Sequence, residues 1–374
     1  MLPGIAHRLA EGIDEGIPMG PAQSAEAISI ASPAPVIGHE LIVVDVIQET
    51  PDSKSIVLRC PDAFRELFAY RSGQFLTFRI PSDRTGHVAR SYSLSSAPGI
   101  DDDLKVTVKR TVGGYGSNWL CDNLAQGSTI TVLPPSGRFT LDGDEDDLLL
   151  FAAGSGITPI MSILKTALHR SQSSVILFYA NRDHASIIFR RELEEFEAAF
   201  DDRLRVVHWL DDHQGFPSFE DIATIAADNP SCATFVCGPA PFMNMVNEGI
   251  RKAGLPPERH HQEVFASLSG DPFAARPTPT GSTGPSVETV VNLAGEAHRF
   301  DWPMDRTLVD VLLDRGVDVP YSCRSGECGS CACVVVAGKV LMSESDALDP
   351  ADLAEGYVLG CQSRPDAGPI EIAF

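Results

Sequence analysis

The chain has 374 residues, more than one hydrophobic core usually supports, so its length predicts two or three domains. Apolar residues make up 43% of it, and the absence of a run of about 18 apolar residues predicts no membrane-spanning helix. The net charge of −22 argues against nucleic acid as a partner, because a phosphate-binding surface needs the opposite sign. The N-terminal residues do not resemble a signal peptide, so we expect a cytoplasmic protein.

Composition and hydrophobic pattern divide the chain into five consecutive segments. Residues 1–38 are rich in Ala, Pro and Ser and predict a mobile leader. Residues 39–142 contain short strand-like runs, from ELIVVDVIQET to RFTL, and predict an antiparallel β-barrel. Strand-then-helix units over 143–268 predict an α/β domain with a parallel sheet. A Pro- and Gly-rich stretch at 269–286 predicts a linker, and 287–374 form a third, α+β domain.

Five of the nine cysteines fall near the C-terminus, and in a reducing compartment such clustering indicates a metal centre rather than disulfides. Cys323, Cys328 and Cys331 have the spacing C-x4-C-x2-C, and Cys361 follows later, which is the plant-type spacing for a [2Fe–2S] cluster. Zinc also accepts four thiolates, but zinc ribbons favour two short C-x2-4-C pairs. Cys333 is better explained as a buried apolar side chain on a strand.

The loop SCRSGECGSC resembles the cluster loop of plant-type ferredoxins, and the resemblance extends over residues 287–374. It implies a β-grasp-like α+β fold, with Cys323, Cys328, Cys331 and Cys361 as the iron ligands.

Two segments of the barrel region point to a flavin. Arg90-Ser91-Tyr92-Ser93 ends a strand, and GGYGSN opens a helix. RSYSLS alone is compatible with any amphipathic strand that carries a solvated arginine. Together the segments resemble the flavin domain of ferredoxin-reductase-type proteins, from about residue 40 to residue 265. The resemblance implies that Arg90 and Ser91 belong to the flavin site, where Arg90 pairs with phosphate. By the same resemblance Tyr92 packs on the isoalloxazine and Ser93 reaches its N5 edge.

The same resemblance assigns the phosphate loop and the flavin type. Gly116, Ser117 and Asn118 would offer donors to the pyrophosphate at a helix N-terminus. Lys109 belongs to a recurring Val-Lys-Arg segment, although a basic pair on a strand is often only a solvated edge. GGYGSNWL is closer to the FAD-binding members than to the FMN-binding phthalate-dioxygenase-reductase type. We therefore expect FAD, with FMN as the alternative.

A glycine-rich turn follows the strand LLLFAA directly and leads into a helix, which is the context of a dinucleotide-binding loop. A lone G-x-G is weak evidence, but Cys-Gly-Pro ends a later strand and Glu-Val-Phe ends the domain. In the resembled family the turn binds pyrophosphate, the cysteine lies near the nicotinamide, and the late glutamate and aromatic residue border the flavin. Cys237 is equally compatible with a plain buried thiol. The resemblance implies a cofactor-contacting set of Gly154, Gly156, Thr158, Cys237, Gly238, Pro239, Glu263 and Phe265, in which Cys237 and Glu263 join Ser93 as the catalytic residues.

The end of the second parallel strand bears on the choice between NADH and NADPH. Asn181 and Arg182 precede Asp183, so an arginine that suits a 2′-phosphate stands beside an aspartate that would repel one. We expect NADH, because a carboxylate beside a phosphate is costly while an arginine can turn to solvent, and NADPH stays open.

The three modules together indicate an electron-transfer enzyme. NADH delivers electrons in pairs, a [2Fe–2S] cluster accepts them singly, and a flavin exchanges both. The chain resembles the reductase components of multicomponent Rieske-type oxygenases, notably those that demethylate glycine betaine, carnitine or stachydrine. The partner implied is a terminal oxygenase component. Two alternatives remain: a reductase for a di-iron epoxidase or a hybrid-cluster protein, and a non-enzymatic redox-sensing or binding protein.

The predicted cluster domain is strongly acidic. Residues 287–374 contain fifteen Asp or Glu and six Lys or Arg, a net charge of −9. Such a field repels acidic partners and steers basic ones, so we expect the oxygenase to dock near the cluster through a basic patch. The alternative is that these acids only keep the domain in solution.

Overall fold

The computed structural model describes residues 38–141, 147–265, 267–268, 270–274, 284–293, 295–317, 319–343, 345, 347–348 and 350–374. The predicted leader, apart from Gly38, and most of the predicted linker lie outside these ranges. Among the described helices, none combines the length and the apolar character needed to cross a membrane.

The first sheet is the predicted antiparallel barrel. Its strands are β1 (His39–Thr50), β2 (Ser53–Arg59), β3 (Phe75–Ser82), β4 (Gly86–Ser93), β5 (Leu104–Lys109) and β6 (Thr129–Val132), in the order β4-β3-β6-β1-β2-β5. A bridge between Leu94 and Val106 connects the two edges, which removes the exposed edge strands of an open sheet. Helix α1 (Tyr115–Asn123) follows β5. The interior is filled by the apolar residues that alternate along the strands, such as Leu41, Val43 and Phe78.

The second sheet is entirely parallel, as predicted. Its strands are β7 (Leu148–Ala153), β8 (Val175–Asn181), β9 (Leu204–Leu210), β10 (Ala233–Cys237) and β11 (His260–Glu263), in the order β11-β10-β7-β8-β9. The connecting helices are α2 (Ile157–Arg170), α3 (Arg190–Ala199), α4 (Asp211–Gln214), α5 (Phe219–Ala227) and α6 (Ala240–Ala253). The strand order reverses between β7 and β10. In sheets of this kind, ligands bind at such a reversal, beyond the carboxyl ends of the strands.

The third sheet is mixed, with the order β13-β12-β16-β14-β15. Its elements are β12 (Ser286–Leu293), β13 (Glu296–Pro303), α7 (Leu308–Asp314), β14 (Ala332–Met342), α8 (Pro350–Ala354), β15 (Tyr357–Leu359) and β16 (Ser363–Ala373). β12 runs parallel to β16, while the other neighbouring pairs are antiparallel. Helix α7 and Trp302 supply much of the core on one face of the sheet. The predicted fold class is therefore confirmed in all three parts.

A buried group of charges joins the barrel to the parallel-sheet region. Lys165 on α2 is only 2% exposed and pairs with Glu192 on α3 and with Asp101 of the barrel, while Lys105 on β5 lies 3.2 Å from the same Glu192. We call Asp101, Lys105, Lys165 and Glu192 the interdomain charge cluster. Burial opposes the charge on Lys165, but the two carboxylates outweigh it and raise its pKa.

One local prediction was wrong. RFTL forms no regular strand, and its Phe139 packs instead against the core of the parallel-sheet region. Helix α3 begins at Arg190, directly after Phe189, which adopts a left-handed backbone with φ of 62°. Phe273, in the predicted linker, is buried against Ala89 and Leu133 of the barrel, so this part of the linker adds to a core.

Candidate functional site

Strand β4 and the start of α1 bring the predicted flavin residues together. A Cβ on Gly116 would lie 2.9 Å from Cγ of Arg90 and 3.6 Å from the Tyr92 hydroxyl, so only glycine lets the helix approach the strand this closely. The Tyr92 ring packs edge-on against Phe78. Burial raises the pKa of Tyr92, which keeps its phenol protonated at neutral pH. The arrangement places a guanidinium, a phenol and a helix N-terminus side by side.

The loop that leads into α1 is held by its own side chains. The Ser117 hydroxyl accepts a hydrogen bond from the Thr111 backbone at 3.0 Å, and the Asn118 side-chain amide donates to the carbonyls of Thr111 and Gly114. No side chain caps the helix at Gly114 within the described ranges. The backbone N–H groups of the first turn therefore remain available to an anion such as the flavin pyrophosphate. The side chains of Ser117 and Asn118 are already engaged within the loop, and their contact with a flavin stays a prediction.

The predicted nicotinamide loop lies where the parallel sheet reverses its order. A Cβ on Gly156 would lie 2.1 Å from the Cys237 carbonyl oxygen, so any other residue would push apart the turns that follow β7 and β10. Gly238 is similarly crowded by Phe242, and Thr158 donates to the Ser155 carbonyl at 3.1 Å. The turns that follow the two strands therefore pack directly against each other. Pro239 follows Gly238 as the residue before α6.

Lys109 lies at the junction between the barrel and the parallel sheet. Its ammonium is 3.7 Å from the position of a Cβ on Gly154 and 3.9 Å from a carboxylate oxygen of Asp52. The Gly154 turn and the barrel therefore meet at this side chain, while its contact with the cofactors stays a prediction.

The three residues predicted as catalytic meet where barrel and parallel sheet join. The Ser93 hydroxyl donates to a Glu263 carboxylate oxygen at 3.0 Å, although 170 positions separate them in sequence. Glu263 pairs in register with Cys237 across the strands β10 and β11. Burial raises the pKa of Glu263 to about 8 against the effect of the Ser93 hydrogen bond, and burial and Glu263 together raise the pKa of Cys237. Both groups are therefore largely protonated at pH 7, so the junction carries little charge. Phe265, two residues beyond β11, is exposed.

The end of β8 carries an amide suited to a ligand. Asn181 is buried and lies beside the Tyr179 hydroxyl, yet among the described residues neither its amide nitrogen nor its oxygen completes a hydrogen bond. Asp183 bonds instead to its neighbours in the chain: its carboxylate accepts from both the backbone and hydroxyl of Ser186 and pairs with Arg182 at 2.9 Å. These hydrogen bonds lower the pKa of Asp183 to about 2. The Arg182 side chain is exposed, so solvent or a ligand can reach its guanidinium beside Asp183.

The four predicted cluster ligands lie in mutual contact. Cys323 interacts with Cys328 and Cys361, and Cys361 also interacts with Cys331; these contacts lower the pKa of Cys323 and Cys331 and raise that of Cys328 and Cys361. Within the described ranges no group of three or more His, Cys, Asp or Glu converges on one ion. The contacts run without a break from Cys328 through Cys323 and Cys361 to Cys331, and four adjacent thiols suit the ligand set of a [2Fe–2S] cluster. Cys333 lies apart, buried in β14, where its thiol faces the Val358 carbonyl.

N–H groups surround these thiols, as an anionic iron–sulfur cluster requires. The donors lie 3.3–3.5 Å from sulfur: Cys323, Ser325, Glu327 and Cys361 through their backbone, and Gln362 through its side chain.

Comparison with known proteins accounts for the three regions. Residues 40–141 match an oxidoreductase FAD-binding domain, 150–248 an oxidoreductase NAD-binding domain, and 291–366 a 2Fe-2S iron-sulfur cluster binding domain. The chain is 54% identical over 337 residues to the ferredoxin reductase component of 3-ketosteroid-9-alpha-monooxygenase from Rhodococcus rhodochrous, covering 89% of this chain and 96% of that protein. The chain belongs to the ferredoxin reductase components of oxygenases. The Mycolicibacterium smegmatis member with the same name is 48% identical over 340 residues, covering 90% and 96% of the two chains.

More distant relatives are also reductases of oxygenase systems. The glycine betaine monooxygenase reductase subunit of Pseudomonas aeruginosa is 30% identical over 345 residues, covering 87% of this chain and 93% of that protein. The fold of phthalate dioxygenase reductase superposes with a TM-score of 0.53 at 24% identity, covering 90% of this chain and 98% of that one. The predicted resemblance to oxygenase reductases, including the glycine betaine type, is confirmed, and so are the flavin, nicotinamide and [2Fe–2S] cofactors.

As a ferredoxin reductase component, the chain has residues that fit each cofactor. The first turn of α1, which no described side chain caps, suits a phosphate, the unsatisfied Asn181 amide suits a nucleotide, and N–H donors face the cysteine sulfurs. Bound there, the flavin supplies the conversion of an electron pair into single electrons.

Sequence reasoning missed several residues of this reductase. Gln362 reaches the sulfur of Cys361, and its position directly after the fourth cysteine was an available signal. Thr77 and Ser322 form a hydrogen bond between the barrel and the cluster loop, and Arg138 binds Asp352 near that loop. No local pattern pointed to the last two contacts, because each joins two separately folded regions.

Proposed function

We propose that this chain is the reductase component of a 3-ketosteroid 9α-monooxygenase, passing electrons from NADH through FAD and the [2Fe–2S] cluster to a Rieske-type terminal oxygenase. The identity of 54% over nearly the whole length of the Rhodococcus protein carries the proposal. Identity to the glycine betaine reductase is 30% over a comparable length, so a steroid oxygenase is favoured over a demethylase as the partner.

We assign the work to the domains proposed from the sequence: 39–142 for flavin, 143–268 for nicotinamide, 269–286 as linker and 287–374 for the cluster. The three separate sheets support this division. NADH would lie across the ends of β7 and β10, at the turns that contain Gly156 and Gly238, with its nicotinamide near Cys237. The neutral junction of Ser93 and Glu263 would then border the flavin edge that receives the hydride. A protonated carboxyl there adds no negative charge beside a flavin that becomes electron-rich.

The choice of NADH rests on Asp183 and Arg182. Asp183 keeps its charge beside Arg182, so the guanidinium is already partly neutralised. A 2′-phosphate placed there would meet a weaker attraction than a free arginine offers. A ribose with a free 2′-OH meets no such conflict, which favours NADH.

The acidic cluster domain supports docking to a basic surface of the oxygenase. Its net charge of −9 includes Glu327, an exposed residue inside the cysteine loop whose backbone N–H points at the sulfur of Cys323. A carboxylate this near to the cluster lies where electrons leave the protein. A transient interface gains more in association rate from such charges than from buried area.

Reconstitution tests the proposal. The reductase, loaded with FAD and iron–sulfur cluster, is mixed with NADH and either the oxygenase component of 3-ketosteroid-9-alpha-monooxygenase or that of glycine betaine monooxygenase. We expect NADH-driven hydroxylation of a 3-ketosteroid, and much slower turnover of glycine betaine. Preference for the glycine betaine oxygenase would overturn the assignment, and efficient reduction of only a di-iron epoxidase or a hybrid-cluster protein would replace it.

An ionic-strength series with the preferred oxygenase tests the docking surface. We expect oxygenase reduction to slow steeply as salt shortens the Debye length to a few ångströms, while ferricyanide reduction by the same enzyme changes little. Glu327→Gln should weaken the salt dependence. A flat salt response would leave the acidic surface without a role in docking.

A further inference from the structure

Arg138 leaves the barrel region shortly after β6 and reaches three elements of the cluster domain. Its guanidinium forms two hydrogen bonds to Asp352 on α8, at 2.7 and 3.1 Å. The same group lies over the Tyr357 ring of β15, 5.1 Å from its centre. Its Cδ atom is 3.4 Å from the position of a Cβ on Gly329, which lies between two of the cluster cysteines. A single side chain thus contacts the cluster loop and two elements that support it.

A second polar contact joins strand β3 of the barrel to the start of the cluster loop. The hydroxyls of Thr77 on β3 and Ser322 are 2.7 Å apart, and both side chains are buried. Thr77 is also 3.0 Å from the hydroxyl of Ser91 in the flavin strand, while Ser322 directly precedes Cys323. A line of hydroxyls therefore leads from the proposed flavin site to the first cluster ligand. The orientation of the loop against β3 sets how close the two cofactors come.

These contacts between the barrel and the cluster domain are polar. Hydrophobic surface, which is non-directional, does little to fix an orientation, whereas a two-pronged arginine–carboxylate pair fixes both distance and angle. The Arg138–Asp352 pair is partly shielded from water, with side-chain exposures of 38% and 20%, so salt screens it less than a fully exposed pair. It is therefore suited to hold one particular docked arrangement.

We propose that Arg138 is a positioning residue that holds the cluster domain against the flavin barrel for electron transfer between the two cofactors. The proposal rests on the electron order NADH, flavin, cluster given above. Each transfer oxidises the reduced flavin by one electron and reduces the cluster by one. Two transfers, with the cluster reoxidised by the acceptor in between, return the flavin to its oxidised state and release its two protons to solvent. Arg138 takes no part in these steps except by fixing the separation that the electron crosses.

Stopped-flow absorbance with NADH under anaerobic conditions tests this role in the full-length, cofactor-loaded protein. In Arg138→Gln we expect flavin reduction at the rate of the unmodified protein and cluster reduction slowed about tenfold, the factor for a lost charge-assisted bond of roughly 1.4 kcal/mol. Arg59→Gln is the matched control, because Arg59 forms a similar two-pronged pair with Asp103, at 3.0 and 2.7 Å, within the barrel. It should leave both phases unchanged.

A charge exchange separates positioning from general stability. Combining Arg138→Asp with Asp352→Arg restores an ion pair, so cluster reduction should recover substantially from the slow rate of either single variant while the Tm stays similar in all three. Asp352→Asn serves if Arg138→Gln does not fold, with the same slow phase expected. Cluster reduction at the unmodified rate in these single variants would overturn the proposal. Failure of the unmodified protein to reduce its cluster with NADH would instead overturn the electron order itself.

Discussion

Glu263→Gln removes one ionisable group from the junction of barrel and parallel sheet. The amide oxygen of glutamine can still accept the hydrogen bond that the Ser93 hydroxyl donates at 3.0 Å, so the contact is retained. What changes is the charge: burial raises the pKa of the Glu263 carboxyl to about 8, whereas glutamine stays neutral at every pH. The pH dependence of the two proteins should therefore differ although their structures agree.

The size of the difference follows from the shift in pKa. In the folded protein the carboxyl holds its proton up to about pH 8, while in the unfolded chain it loses it near 4.5. Between these values the folded state binds more protons, so stability falls as pH rises from about 4.5 to 8 and the loss is complete above that. A shift of this size corresponds to about 5 kcal/mol, and the partial exposure of Glu263 reduces the expected loss to about 2 kcal/mol.

Two measurements check this. Urea unfolding is followed by the fluorescence of released flavin at pH 5.5, 7 and 9. From pH 5.5 to pH 9 the free energy of unfolding of Glu263→Gln should rise by about 1.5 kcal/mol relative to that of the unmodified protein, since this interval covers most of the titration. The rate of flavin reduction by NADH should fall above pH 8 in the unmodified protein, because a carboxylate then faces the flavin, and should stay level in the variant. Parallel pH profiles for the two proteins would refute both the raised pKa and its role.

Three further substitutions test other parts of the site. Cys331→Ser should abolish the [2Fe–2S] spectrum and leave flavin absorption, since a hydroxyl is a poor ligand for this iron, whereas Cys333→Ser should retain both; the reverse outcome would exclude the ligand set. Gly156→Ala should raise the KM for NADH at least tenfold, because its methyl group would lie 2.1 Å from the Cys237 carbonyl oxygen and push the two turns apart, and an unchanged KM would show that NADH binding does not depend on this close packing. Asp183→Ser should shift kcat/KM toward NADPH by releasing Arg182, and an unchanged ratio of the two cofactors would show that the arginine does not meet the 2′ position.

The sequence predicted those parts of the structure that depend on local pattern. Alternating apolar residues identified most barrel strands, and strand–helix units identified the parallel sheet. Strand β11, with the polar sequence HHQE, was missed because it is a short edge strand whose pairing with β10 supplies its regularity. Glu263 at its end was found only through the family resemblance.

Contacts between regions were beyond sequence reasoning. The bond between Thr77 and Ser322 joins positions 245 residues apart, and no periodicity records how one folded region packs on another. The hydrogen bonds that Ser186 donates to Asp183 could not be predicted either, because solvent and a ligand compete with the serine for the same carboxylate.

The interdomain charge cluster bears on how such reductases can be recombined. Lys165 is buried between carboxylates supplied by the barrel and by α3. A chimera that replaces one of these regions without its partner would therefore leave a buried charge unpaired. Removing one partner of a buried pair costs about 3–5 kcal/mol, which is a large share of a domain's stability. The flavin and nicotinamide regions are therefore best exchanged as one block. The cluster domain contacts the barrel through Arg138 and Thr77. It can therefore be exchanged by itself, provided that the new domain supplies hydrogen-bond partners for these two residues.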